Sequence, residues 1–155
     1  MATPSITDQM TTAYWMDRLK GHFPGHIGIQ VTEVAKGLMR GRIAPLQLHH
    51  MAPNGYMHAA TAIGLADTLC GFGCVVALPE GATGFTTVET KSNHLGTSRE
   101  GAIACTARLV HSGRTTQVWD AEVTDETTNK VIALFRCTQM VLYPRGEGRG
   151  PRTGD

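Results

Sequence analysis

The chain has 155 residues, 17% of them charged, and a formal net charge of +1. That length supports one domain with a core of its own, and a near-neutral charge without a long basic run argues against a nucleic-acid binder driven by net charge. Cys70, Cys74, Cys105 and Cys137 form no C-x-x-C pair, and read as buried reduced thiols of a cytoplasmic protein rather than zinc ligands or disulfides.

At the N-terminus no basic region precedes an apolar run, so no signal peptide is expected. Thr7 is placed to cap a helix, with Asp8 favourable in the first turn. Ile6, Met10, Ala13, Tyr14 and Met16 give that short helix an apolar side, expected on the outside of the main sheet, and Gly21 ends it. His22-Phe23-Pro24-Gly25-His26 resembles the His-Phe-Pro-Gly segment of the β-hydroxyacyl-carrier-protein dehydratases, where the string leads into a central helix. Here it precedes an alternating strand pattern over Gly28–Val34, which favours a turn over a catalytic role for His22 or His26.

Ile29, Val31 and Val34 fit a first strand, Lys36-Gly37 a turn, and Leu38–Leu46 a second strand. The loop from Gln47 to Pro53 carries His49 and His50. Adjacent side chains diverge and no second cluster accompanies them, so no metal site is expected.

After the Asn54-Gly55 turn the chain runs to Leu78 with no proline and one charge, Asp67. Surface helices carry a polar face. This stretch has almost none, so it reads as a central helix buried on most sides. Its length suits a membrane span, but Gly64, Gly71, Gly73, His58, Asp67, Thr61 and Thr68 make it a poor one. Ala59, Ala60, Ala62, Gly64, Ala66, Gly71 and Gly73 would let strands pack close. A carboxylate inside such a helix is costly unless it is paired or put to use, which singles out Asp67.

Pro79–Gly84 is a surface loop. Phe85–His94 is a Thr-rich strand, part of which would line a wet cleft. Ala102–Val110 alternates Ile103, Cys105, Ala107 and Leu109 against polar neighbours. A tight turn at Ser112-Gly113-Arg114 leads to Gln117–Thr124, with Trp119, Ala121 and Val123 on one face. A second turn at Asp125–Lys130 leads to Val131–Tyr143, with Ala133, Phe135, Cys137 and Val141 on one side. The tail from Pro144 is expected to be disordered. The order helix, two strands, long helix, four strands gives an α+β domain: an antiparallel sheet wrapped around one long central helix, with a short N-terminal helix and the last four strands as a meander.

Gly55-Tyr56-Met57-His58-Ala59-Ala60, followed by Leu65-Ala66-Asp67-Thr68, resembles the Gly-x-x-His-Gly-Gly pattern, with a carboxylate nine residues after the His, of hotdog-fold thioesterases. The type is the phenylacetate-degradation (PaaI-like) one, which includes 4-hydroxybenzoyl-CoA thioesterases. Thr86–Asn93, Ser98–Gly101 and His111–Arg114 extend the resemblance over about residues 27–143. It implies a hotdog domain at 27–143, preceded by a helix and lead-in at 1–26 and followed by the tail at 144–155. It also implies an acyl-CoA substrate, no cofactor beyond the CoA of that substrate, no metal, and neither nucleic-acid nor membrane partners. Asp67 would be general base or nucleophile, with His58 and Ala59 completing the catalytic set. Asn54, Gly55, Thr87 and His50 would contact substrate, and Arg99 and Arg114 the CoA phosphates. The sequence departs from the pattern at Ala59-Ala60, in place of Gly-Gly, and at Ala52, where an Asn or Gln often stands.

A helix start offers free N–H groups to a developing oxyanion, and Ala59 sits at one. Asp67 lies eight residues further on, about 12 Å away at ~1.5 Å per residue. One thioester carbon cannot meet both within one chain. Cooperation between them therefore predicts an isologous homodimer with shared sites, and the resemblance implies its doubling to a homotetramer. Two other functions fit less of the pattern: a hotdog hydratase or dehydratase using His58 and Asp67, and a non-catalytic acyl-CoA-binding hotdog protein, for which Ala52, Ala59 and Ala60 speak.

Overall fold

The computed structural model describes residues 9–144. Ile6, Thr7, Asp8 and the tail beyond Pro144, for which the sequence predicts a helix start and disorder, lie outside the described residues.

Helix α1 (Thr12–Leu19) is capped by Thr11, whose Oγ1 accepts the Tyr14 N–H at 3.3 Å. Its buried residues are Trp15 and Leu19, one helical turn apart, and the expected Met10, Tyr14 and Met16 pack beside them, partly buried against the core. The helix does not lie on the outside of the sheet. Trp15 stacks flat on Phe72 of the central helix, with ring centroids 4.1 Å apart and planes 16° apart. Met16 Sδ accepts the Val31 N–H at 3.2 Å, covering the first strand's edge. Where the sequence predicts a plain turn, Phe23–His26 form one helical turn, α2. Pro24 sits in its first turn, where a missing N–H costs nothing.

Strands β1 (Ile29–Ala35) and β2 (Leu38–Ile43) form the expected hairpin, with Gly37 in the left-handed region at φ +80°. β2 ends at Ile43 rather than Leu46. Its pairing with the neighbouring strand stops there, and Pro45, two residues on, has no N–H to give a ladder.

The long apolar stretch is helix α3 (Ala59–Val76), laid across the inner face of the sheet. It is long and apolar enough to cross a membrane by length and composition, and half of it is buried inside the fold. Close packing uses the glycines: a Cβ on Gly73 would stand 2.5 Å from the Trp119 ring. The Trp119 indole N–H donates to Gln117 Oε1 at 2.8 Å, and Gln117 Nε2 donates to the Ala77 carbonyl at 3.0 Å. The sheet is thereby tied to the helix's C-terminal end. Ala59 and Ala60, expected among the packing residues, are instead exposed at the helix start.

The remaining strands are β3 (Gly84–His94), β4 (Ile103–Ser112), β5 (Thr116–Asp125) and β6 (Lys130–Leu142). The antiparallel sheet has the order β1-β2-β4-β5-β6-β3. β4, β5 and β6 form the expected meander. β3 does not: it lies on the far edge, paired with β6 along its whole length. Residues 95–102 are no hairpin turn but a crossover past the ends of β5 and β6. The Leu95 and Gly96 N–H groups donate to the Ile132 carbonyl at 2.8 and 3.1 Å. Ser98, buried, donates its hydroxyl to Asp125 in the β5–β6 turn. Trp119, Ala121, Val123, Phe135 and Cys137 face α3 as expected, and all four cysteines are buried and free.

Candidate active site

The start of α3 is built by the loop before it, and His50 is the centre of that loop. It is 3% exposed. Its Nδ1 accepts the Gln47 N–H at 2.9 Å, and its Nε2 lies 2.9 Å from the Ile27 carbonyl, to which it donates. Its carbonyl accepts the His58 N–H and the Thr61 hydroxyl, each at 2.9 Å. Burial holds the imidazole below its usual range, with His49 adding to the effect and the Ile27 bond opposing it. The expectation that His50 contacts substrate finds the ring turned instead into its own loop. Both ring nitrogens are spent on backbone, and the residue braces the helix start.

Asn54 Oδ1 accepts the Tyr56 N–H at 3.1 Å and Gly55 takes φ +80°, so the two shape an exposed turn just before the helix. His58 is the N-cap, its Nδ1 accepting the Ala60 N–H at 3.0 Å. That bond leaves the preceding N–H, of Ala59, exposed and without a hydrogen-bond partner among the described residues. The helix macrodipole adds partial positive charge there. Arg99 reaches the same end, its guanidinium 4.1 Å from the Tyr56 ring centroid and bonded to the Tyr56 hydroxyl.

Asp67 lies in the middle of α3, on the wall of a cleft of about 290 Å³ shared with Trp15, Pro24, Thr68, Gly71, Phe72, Val75, Phe85 and Thr87. Its Oδ1 is buried with no hydrogen-bond partner among the described residues. Desolvation pushes the carboxyl above the ordinary carboxylate range. A carboxylate weakly solvated and held by no cation is suited to take a proton or attack a carbonyl.

Two groups of predicted residues are thus each brought together. Asp67 and Thr87 share the cleft, while Asn54, Gly55, His58, Ala59 and Arg99 cluster at the start of the helix. Arg114 belongs to neither group. It sits in the β4–β5 turn, 5.6 Å from the Tyr143 ring, and its carbonyl accepts the Tyr143 hydroxyl at 2.7 Å. The aromatic cleft walls Trp15, Phe72 and Phe85 were not legible as site residues. The Trp15–Leu19 spacing signals only a buried helix face.

Comparison with known proteins gives these features a context. The family model described as Thioesterase superfamily matches residues 54–132. A 1,4-dihydroxy-2-naphthoyl-CoA hydrolase of Listeria monocytogenes is 32% identical over 119 residues, 77% of this chain and 94% of that protein. A thioesterase of Haemophilus influenzae superposes with a TM-score of 0.80 at 24% identity, covering 86% of this chain and 92% of that one. The PaaI protein of the Escherichia coli phenylacetic acid degradation operon superposes at 0.74 with 20% identity, covering 84% and 91%. These two structural likenesses bear on the fold, a helix-wrapping hotdog sheet.

Proposed function

Because the chain belongs to the thioesterase superfamily, we propose that it hydrolyses an acyl-CoA thioester to free CoA and a carboxylic acid, with Asp67 as general base or nucleophile. The observation that carries this reading is the state of Asp67: a buried carboxylate oxygen without a partner, on the wall of a largely apolar cleft. Burying an uncompensated charge costs stability, and a reactive role accounts for its retention. The acyl group occupies the cleft between Phe72, Phe85 and Thr87. The thioester carbonyl is polarised by the Ala59 N–H of a second copy, since the Ala59 and Asp67 of one chain are too far apart to meet at one carbon.

The sheet supports such a pairing. β3 is an eleven-residue edge strand bonded, among the described residues, only to β6, and Val88 on it is 51% exposed. A long uncovered edge is a template for another strand. Two copies joined edge to edge make an isologous dimer with two shared sites. Arg99, beside each helix start, is placed to meet phosphate oxygens of CoA. The naphthoyl substrate named for the Listeria relative makes aryl thioesters the first to try, beside medium-chain ones.

The test is thiol release from a panel of aryl- and alkyl-CoAs by wild type, Asp67→Ala and Asp67→Asn. The expected result is turnover by wild type that drops at least about a hundredfold in both variants while the oligomer persists. Turnover by wild type with both variants unimpaired removes Asp67 from the mechanism. Binding of acyl-CoA without thiol release by wild type replaces the hydrolase reading with a carrier protein.

A further inference from the structure

The inner face of β3 changes character along its length. Residues opposed across an antiparallel pair point to the same face of the sheet. Phe85 and Thr87 oppose Val141 and Gln139 of β6, while Thr90, Ser92 and His94 oppose Cys137, Phe135 and Ala133. All five of those β6 residues are buried, so all five β3 residues face inward. The register shift between Thr87 and Glu89 moves the inward set from odd to even positions. Phe85 and Thr87 line the Asp67 cleft. In the second group, Thr90 and His94 are exposed and Ser92 is half-buried. Polar residues left open on the face that carries the core are out of place in an isolated sheet. Ser92 Oγ and His94 Nε2 lie 3.1 Å apart, so the two form one hydrogen-bonded unit. Between them a hydroxyl and an imidazole can both donate and accept.

Within one chain this pair is out of reach of the cleft. Seven residues separate Thr87 from His94, about 23 Å at ~3.3 Å per residue. A two-fold joint between the exposed β3 edges changes that. It sets the first half of one strand against the second half of the other, and inward residues meet inward residues. With the axis at mid-strand, Phe85 and Thr87 of one copy meet Thr90, Ser92 and His94 of the other. The same copy brings its helix start. β3 runs into the crossover, where the Ser98 carbonyl accepts the Met57 N–H at 3.0 Å, two residues before Ala59. Each shared site then takes Asp67, Phe85 and Thr87 from one copy and Ala59, Ser92 and His94 from the other.

We propose that Ser92 and His94 are specificity-determining residues that close the acyl cleft of the other copy and bind a hydroxyl on the acyl group. The inference rests on the hydrolase reading and its edge-to-edge dimer. Trp15, Phe72, Val75 and Phe85 give the cleft apolar walls, which hold the carbon frame of an acyl group and do not select for oxygen. The Ser92–His94 pair does. An O–H group donates and accepts, as the pair does. A hydrocarbon in the same place would displace water from both polar side chains and replace none of its hydrogen bonds.

The test compares kcat/KM for benzoyl-CoA and the three hydroxybenzoyl-CoAs. Wild type should prefer at least one hydroxylated substrate to benzoyl-CoA. His94→Phe should cut that preference about tenfold, the scale of one hydrogen bond. His94→Gln, which keeps a donor and an acceptor, should retain most of it. A merely structural role would not move the ratio between two substrates of one folded enzyme. Mixed dimers purified through two tags, one chain Asp67→Ala and the other His94→Phe, locate the residue. Their one site with an intact Asp67 takes His94 from the Asp67→Ala chain, so they should keep the wild-type preference. A relaxed preference in the mixed dimer overturns the proposal by placing His94 in its own chain's site. So does thiol release by a wild type that prefers no hydroxylated substrate, or an unchanged preference in His94→Phe. Should His94→Phe fail to dimerise, the smaller change Ser92→Ala is put through the same comparison. Any of these outcomes defeats only the role of Ser92 and His94, whereas a wild type that releases no thiol defeats the hydrolase reading as well.

Discussion

Ala59 and Asp67 stand eight residues apart on one continuous helix, the first at its exposed start and the second on the wall of a cleft about 12 Å away. The N–H of Ala59, at the first helical position, has no acceptor among the described residues, and the His58 side chain caps the next one. Deleting that N–H alone is possible. Ala59 is the first helical residue, a position that accepts proline, and His58 already has the extended conformation (φ −66°, ψ 136°) that precedes one. Ala59→Pro should fold with little change in melting temperature and lose about 10²–10³ in kcat, the range for removing one oxyanion donor. Steady-state thiol release checks this.

Asp67 carries a stability cost beside its proposed chemical role. Its carboxyl is raised by burial, so the folded state binds its proton more tightly than the unfolded state does. Stability therefore falls as pH rises from the unfolded value of about 3.9 through the higher folded one, and the full penalty is present above that. Asp67→Asn should melt at a higher temperature than wild type at neutral pH, and the difference should vanish below about pH 4. Thermal melts of both proteins across that range measure it. The same raised value places the acidic limb of kcat/KM above the ordinary carboxylate range.

His50 has the opposite sign. Its imidazole is held below the usual range by burial, and Nδ1 must stay unprotonated to accept the Gln47 N–H. As pH falls below about 6.5, the unfolded chain takes up a proton that the folded one refuses, and stability is lost. His50→Ala should cost about 1–3 kcal/mol at neutral pH, the range for leaving buried partners unsatisfied. The gap to wild type should narrow as pH drops toward about 5. Denaturant midpoints at two pH values decide it.

At Gly73 two effects compete. Alanine would favour the helix by up to about 1 kcal/mol. Its Cβ would stand 2.5 Å from the ring of Trp119, which is fully buried, and overpacking of this kind costs about 1–3 kcal/mol. The clash should win. Gly73→Ala is expected to lower stability in urea denaturation while leaving the cleft chemistry intact.

Much of this was legible in the chain because it depends on local pattern. A long stretch with one charge can only be buried, so α3 and the singular position of Asp67 follow from composition. Alternation marked β1 and β4 to β6, with the inward faces of the last three, and the Lys36-Gly37 turn marked β2. What failed was non-local. The meander is the simplest reading of four strands in a row, but β3 belongs beside β6, because residues 95–102 cross the sheet instead of turning. His50 was placed against substrate as a stand-in for the Asn or Gln that often stands at the Ala52 position, and only the fold shows both of its nitrogens engaged. Trp15 went unremarked because the apolar side was read from Ile6, Met10, Ala13, Tyr14 and Met16, and local pattern does not show that its ring meets Phe72 of the distant central helix.

The central claim is that each site joins Asp67 of one copy to Ala59 of another. Asp67→Ala and Ala59→Pro should each be nearly inactive alone. In a mixed dimer of the two, one site carries both defects and the other carries none. Co-expressing the variants with distinct tags and assaying the mixture should restore about a quarter of wild-type thiol release, because half of randomly assorted dimers are mixed and half of their sites are intact. A mixture no more active than its components, with mixed dimers demonstrated through both tags, would place the two residues in the same chain's site and contradict the account.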